Sequence, residues 1–103
     1  MSNQTHGWSQ AVFDLQVNVG EPVERVREIF FSLADELRSD PKYGPMLVAD
    51  AQMLGIDSLG ETMYSVKFVV RTLPLKRWEV RREMLRRIKE RFQKLQIKVI
   101  VPG

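Results

Sequence analysis

Alternation of apolar and polar positions opens the ordered part of the chain. Over residues 12–19 the odd positions Phe13, Leu15, Val17 and Val19 are apolar while Asp14, Gln16 and Asn18 are polar, the two-residue period of a strand with one buried face. Gly20-Glu21-Pro22 turns the chain, and Pro22 suits the first turn of a helix, where its missing N–H leaves no bond unmade. Val23, Val26, Phe30, Leu33 and Leu37 then step by three and four, which predicts a helix running to about Leu37. Asp40-Pro41 and Gly44-Pro45 make residues 38–45 a loop. Residues 46–56 read as a weaker strand interrupted by Gly55, and Asp57-Ser58-Leu59-Gly60 as a turn. Alternation returns over residues 62–72, with Tyr64, Val66, Phe68, Val70 and Thr72 on one face and Met63, Ser65, Lys67, Val69 and Arg71 on the other. Pro74 ends that strand. Residues 76–95 are rich in helix formers and gather Trp78, Met84, Leu85, Ile88, Phe92 and Leu95 on one side. Glu83 with Arg87 and Glu90 with Lys94 have the i, i+4 spacing that adds ~0.2–0.5 kcal/mol per pair. Residues 97–101 form a last short strand, closed by Pro102.

The order strand, helix, strand, strand, helix, strand has two crossovers that must be right-handed and one hairpin. It predicts the ferredoxin-like α+β fold, βαββαβ, a four-stranded antiparallel sheet with both helices on one face and the first and third strands central. Those two strands carry the cleanest alternation, so local pattern and topology agree. The chain of 103 residues fits a single domain over residues 11–103. Residues 1–10 are polar and without period, and read as a linker entering from a preceding domain.

Composition narrows the chemistry. With no cysteine there is no disulfide framework, thiolate nucleophile or cysteine-held metal. The single histidine, His6, lies in the leader, which argues against histidine-rich metal sites and histidine-based catalysis. Asp14, Asp50 and Glu61 stand on separate elements, and Gly55 and Gly60 are isolated turn glycines with no phosphate-binding loop around them. The expectation is therefore a protein that is not an enzyme and uses no cofactor or metal. No apolar run approaches the ~18–20 residues that span a bilayer.

The net charge of +3 is unevenly spread. Residues 1–75 hold six Lys/Arg against ten Asp/Glu, a balance of −4, and residues 76–103 hold ten against three, a balance of +7. Arg77, Arg81, Arg82, Arg86, Arg87, Lys89, Arg91 and Lys94 invite a nucleic-acid reading. Recognition modules on this fold also stack bases on aromatics of the open sheet face, whereas Phe13, Tyr64 and Phe68 fall in the register facing the helices. No nucleic-acid partner is expected on that ground, and a basic nucleic-acid-binding or small-molecule-sensing module remains the alternative reading. Trp78 reads as a core residue or an interface anchor. In the last strand Ile97, Val99 and Val101 cover the core, which turns Ile100 to the open side of an edge strand. An apolar edge of this kind calls for a partner subunit.

Val69-Val70-Arg71-Thr72, Arg77-Trp78-Glu79-Val80-Arg81-Arg82-Glu83, Ile88-Lys89-Glu90-Arg91-Phe92 and Ile97-Lys98-Val99 together resemble the C-terminal cytoplasmic domain of the small-conductance mechanosensitive channel family. Asn3-Gln4-Thr5-His6-Gly7-Trp8-Ser9-Gln10-Ala11-Val12 is similar to the segment entering that domain, and Pro22-Val23-Glu24-Arg25-Val26 to its first helix start. The resemblance implies a homo-oligomer, a heptamer in the full channel, on the cytoplasmic side of the cell's inner membrane. Such channels open under membrane tension and release ions and small solutes during hypo-osmotic shock, and this domain forms the lower wall of their cytoplasmic vestibule. Ile97, Val99, Ile100, Val101 and Pro102 would then lie where neighbouring subunits approach, and Arg81, Arg82, Arg86 and Lys89 would supply charge to the vestibule. Membrane contact would come only through segments outside this sequence, making it an excised domain with Met1 an introduced start. Two positions depart from the family pattern. Gln96 stands where relatives carry a glycine before the last strand, and Ile100 replaces the first proline of an Ile-x-Ile-Pro-Phe-Pro pattern of which only Pro102 is kept.

Overall fold

The computed structural model describes residues 8–101. Its elements are β1 (Ser9–Asn18), α1 (Val23–Arg38), a 3-10 turn (Gly44–Met46), β2 (Gln52–Leu59), β3 (Met63–Thr72), α2 (Arg77–Lys94) and β4 (Val99–Ile100). His6, most of the polar leader and Pro102 lie outside the described residues. The strands form one antiparallel sheet in the order β2-β3-β1-β4. With α1 and α2 packed on the same face, this is the ferredoxin-like arrangement the pattern predicts.

Ten directly opposed pairs join β1 to β3, from Ser9 opposite Thr72 to Asn18 opposite Met63. Every second pair faces the helices, so Ala11, Phe13, Leu15 and Val17 enter the core with Val70, Phe68, Val66 and Tyr64. Phe30 of α1 stacks on Phe68 with ring centroids 4.1 Å apart, and Phe13 tilts against it at 5.7 Å. Aromatic pairs of this geometry add about 0.5–1.5 kcal/mol beyond their burial. On the opposite face Asp14 sits across from Lys67 at 4.0 Å and Val12 across from Val69.

The structure moves several boundaries. β1 takes up Ser9 and Gln10, which the pattern assigned to the leader, because they pair with Thr72 and Arg71 at the far end of β3. At the other end Val19 has left the strand and is exposed. Residues 46–56 are not one strand. Gly44-Pro45 begins the 3-10 turn, Leu47 makes a single bridge to Thr72, and the chain rejoins the sheet only at Gln52. A register shift between Met53 and Gly55 makes Leu54 the bulged residue, with Gly55, at φ +118°, still paired opposite Lys67, and a second shift between Ile56 and Ser58 carries β2 through the predicted turn to Leu59. The reversal comes at Gly60, whose N–H donates to the Met63 carbonyl at 2.8 Å.

In α2 the buried line is Val80, Met84, Ile88 and Phe92. Trp78 is 58% exposed and Leu95 is exposed, which corrects the predicted apolar face. Four-residue steps keep Val80 to Phe92 within one narrow stripe, whereas Trp78, two residues before Val80, lies ~200° around the helix. Glu83 accepts from Arg87 as the spacing predicts, but Glu90 accepts from Arg86 and not Lys94.

The end of α2 explains how Gln96 replaces a glycine. The N–H of Ile97 donates to the Phe92 carbonyl at 2.8 Å and that of Gln96 to the Gln93 carbonyl at 3.0 Å, with Gln96 at φ +60°. This is the paired-bond helix stop that favours glycine at its left-handed position, and the buried side chains of Phe92 and Ile97 close it. The chain therefore follows the turn a glycine would make, at a conformational penalty of about 1 kcal/mol. Gln96→Gly is expected to stabilise the domain by about 0.5–1 kcal/mol with no change in fold; chemical denaturation measures it, and a destabilised variant would contradict the assignment.

Candidate functional site

Two surfaces of the domain, the β4 side of the sheet and the outer flanks of α2, carry the residues that the sequence singles out. The helix stop at Gln96 aims Ile97 into the core, where it is buried. β4 then pairs with β1 at two positions only, Val99 opposite Val17 and Ile100 opposite Gln16. Val99 and Val101 pack half-buried against the core, and Ile100, sharing a face with Gln16, is exposed on the helix-free side. The predicted division of this strand holds for its described residues. Among the described residues, β4 pairs with β1 at these two positions and no other strand lies on the β4 side of residues 9–15.

Leu85 and Lys89 of α2 join Val99 and Val101 around an apolar groove of about 300 Å³. Further along the same edge, Gln10, Ala11 and Val12 face Arg77, Trp78 and Arg81 across a hollow of about 210 Å³. The Arg77 guanidinium lies over the Trp78 ring at 5.0 Å.

The charges of α2 divide between its two flanks. Toward α1 they are compensated: Arg86 holds Glu83 at 2.7 Å and Glu90 at 3.0 Å, Arg87 holds Glu83 at 2.8 Å and Asp40 at 3.0 Å, and Arg91 reaches Glu36 at 2.7 Å. The Arg86 guanidinium, with Arg87 assisting, keeps the Glu83 carboxyl below the ordinary carboxylate range. Asp40 is lowered as well, chiefly by the backbone N–H of Lys42 at 2.7 Å. Burial opposes the charge on Arg87, but its bonds to Glu83 and Asp40 outweigh that effect and raise its pKa. Among the described residues, Arg77, Arg81, Arg82, Lys89 and Lys98 make no ion pair.

The four predicted vestibule charges therefore separate. Arg86 is spent within the ion-pair cluster, while Arg81 and Lys89 border the β4-side hollows and Arg82 is exposed. Trp78, Arg77 and Leu85 join the edge although the sequence reading placed none of them there as a group. The four-residue step of the buried line was the available signal, since it leaves Trp78 off the core face. Asp14 pairs with Lys67 and Asp50 with Arg38, while Glu61 stands at the β2–β3 hairpin, so these carboxylates do not converge. The aromatics Phe13, Tyr64 and Phe68 are buried under the helices, out of reach of a stacked base. No helix among the described residues is long and apolar enough to cross a membrane.

Residues 11–99 match the protein family described as "Mechanosensitive ion channel MscS, C-terminal". No curated protein matches the chain.

The Glu83 cluster gives a pH prediction. A carboxyl whose folded pKa is lowered contributes stability that is complete above its unfolded pKa and is lost as pH falls through the folded one. Tm is expected to hold from about pH 7 to about pH 5 and to decline below about pH 4, with a shallower decline in Glu83→Gln. Thermal melts across that range measure it, and an identical acid decline in the variant would contradict the role of Glu83.

Proposed function

The chain belongs to the family of the C-terminal domain of the MscS mechanosensitive ion channel, and from that premise we propose that it builds the wall of the channel's cytoplasmic vestibule by assembling with copies of itself. The family's domain lies on the cytoplasmic side of the channel. In this reading the domain carries out no catalysis; tension sensing and the pore reside in other parts of the channel, and osmotic solute release is the activity of the whole assembly. The sevenfold stoichiometry follows the family resemblance.

The observation that supports the assembly reading is the apolar surface on the β4 side: Ile100 is exposed, and Leu85, Val99 and Val101 line a groove beside it, side chains of the kind that proteins cover with a partner. Arg81 and Lys89 on that side, together with the solvent-exposed Arg82, have no carboxylate partner among the described residues and provide the positive field for solutes passing the wall. Arg86 contributes less, because Glu83 and Glu90 neutralise it.

Replacing Ile100 by Asp in the full channel is expected to weaken the oligomer by at least ~10-fold while leaving the domain folded. Native mass spectrometry reads the stoichiometry, and an unchanged oligomer would overturn the β4-edge interface. Reversing Arg81, Arg82 and Lys89 together to Glu is expected to shift the channel's preference from anions toward cations, and an unchanged reversal potential in an asymmetric salt gradient would remove their electrostatic role.

A further inference from the structure

The hollow between Gln10, Ala11 and Val12 of β1 and Arg77, Trp78 and Arg81 of α2 is a socket with an apolar interior and a cationic rim. Val12 and Trp78 are both exposed, and an exposed indole is the kind of large, rigid side chain that anchors interfaces. The two guanidinium groups of the rim have no carboxylate partner among the described residues.

The opposite side of the sheet carries the complementary chemistry. At the end of the β2–β3 hairpin Leu59 is 74% exposed, with Ile56 half exposed beside it. Asp57 and Glu61 bracket Leu59 in sequence, and neither is held in an ion pair among the described residues. The two register shifts in the β2–β3 ladder put bulges into this edge strand, which disfavours strand-to-strand pairing on its outer side and favours side-chain insertion as the mode of contact.

We propose that the β2–β3 hairpin end of one copy docks into this socket on a second copy, with Leu59 against Val12 and Trp78 and with Asp57 and Glu61 meeting Arg77 and Arg81. This contact rests on the assembly reading above and supplies the surface that approaches the β4 side. Charge complementarity selects the occupant. Socket against socket would bring four guanidinium groups together, whereas hairpin against socket pairs two carboxylates with two cations. Hairpin and socket are different surfaces at opposite edges of the sheet order β2-β3-β1-β4, so the contact is head-to-tail. Each added copy leaves one hairpin and one socket free, and a closed ring alone satisfies all of them.

Sedimentation velocity on this chain, at about 50 mM salt and up to about 1 mM protein, tests the contact. The wild type is expected to self-associate. Arg77→Glu with Arg81→Glu, and separately Asp57→Lys with Glu61→Lys, are each expected to weaken that association by at least ~10-fold. Mixing the two double variants is expected to restore association, with the two alternating at equal stoichiometry, because the reversed socket of one meets the reversed hairpin of the other while the native hairpin of the first still meets the native socket of the second. A wild type that stays monomeric throughout, association indifferent to both reversals, or a mixture that stays monomeric would overturn the proposal. Association abolished by Ile100→Asp but untouched by the charge reversals would remove this contact and leave the β4-edge reading standing.

Discussion

The ten-pair register between β1 and β3 decides which residues every other element has to work with. Because a strand's side chains alternate between faces, a slip of one position would exchange the buried set for the polar one. In the observed register Phe13 and Phe68 fall on the helix side, where Phe30 stacks against Phe68 and α1 finds its seat. The same register places Asp14 beside Lys67 and leaves no aromatic of these two strands on the open face. A fold that often presents stacking aromatics on that face here uses them as core, and the face loses a nucleic-acid platform through the same choice that gives the domain its stability.

Against this long central pair, β4 is short. The helix stop before it sets where it starts: the turn at Gln96 commits Ile97 to the core, and pairing with β1 begins only at Val99, opposite Val17. At the other edge two register shifts interrupt the β2–β3 ladder, and among the described residues no strand pairs with the β4 side of residues 9–15. α2 runs beside that stretch and presents different chemistry on its two flanks. Its α1 side is neutralised within the monomer by Glu83, Glu90, Asp40 and Glu36, while its β4 side keeps Arg77, Arg81 and Lys89 available to something outside it. In the proposed assembly, stability and subunit contact draw on separate cations of one helix.

The topology was legible because the strongest alternation and the strongest helical stripe coincide with the central strands and the packed helix faces. The family was legible too, through the run of α2 and the strand after it. Reading failed where neighbours override local pattern. Gly55 and Asp57 look like strand breakers, but pairing with β3 continues through both, with bulges at Leu54 and Asp57. Trp78 looks like core by composition, yet the four-residue step through Val80, Met84, Ile88 and Phe92 leaves it outside. The division of Arg86 from Arg81 and Lys89 depends on Asp40 and Glu36 lying across the helix interface, which no spacing within α2 could reveal.

The central claim is that copies of this domain meet on the β4 side of the sheet. Covering that edge must slow the exchange of its backbone amides with solvent. Hydrogen exchange read residue by residue, comparing the isolated domain with the assembled channel, is the most direct measurement. New protection is expected in residues 9–14 and 98–101, with the buried core of β3 unchanged. Protection that stays the same along that edge while the channel is assembled would contradict it.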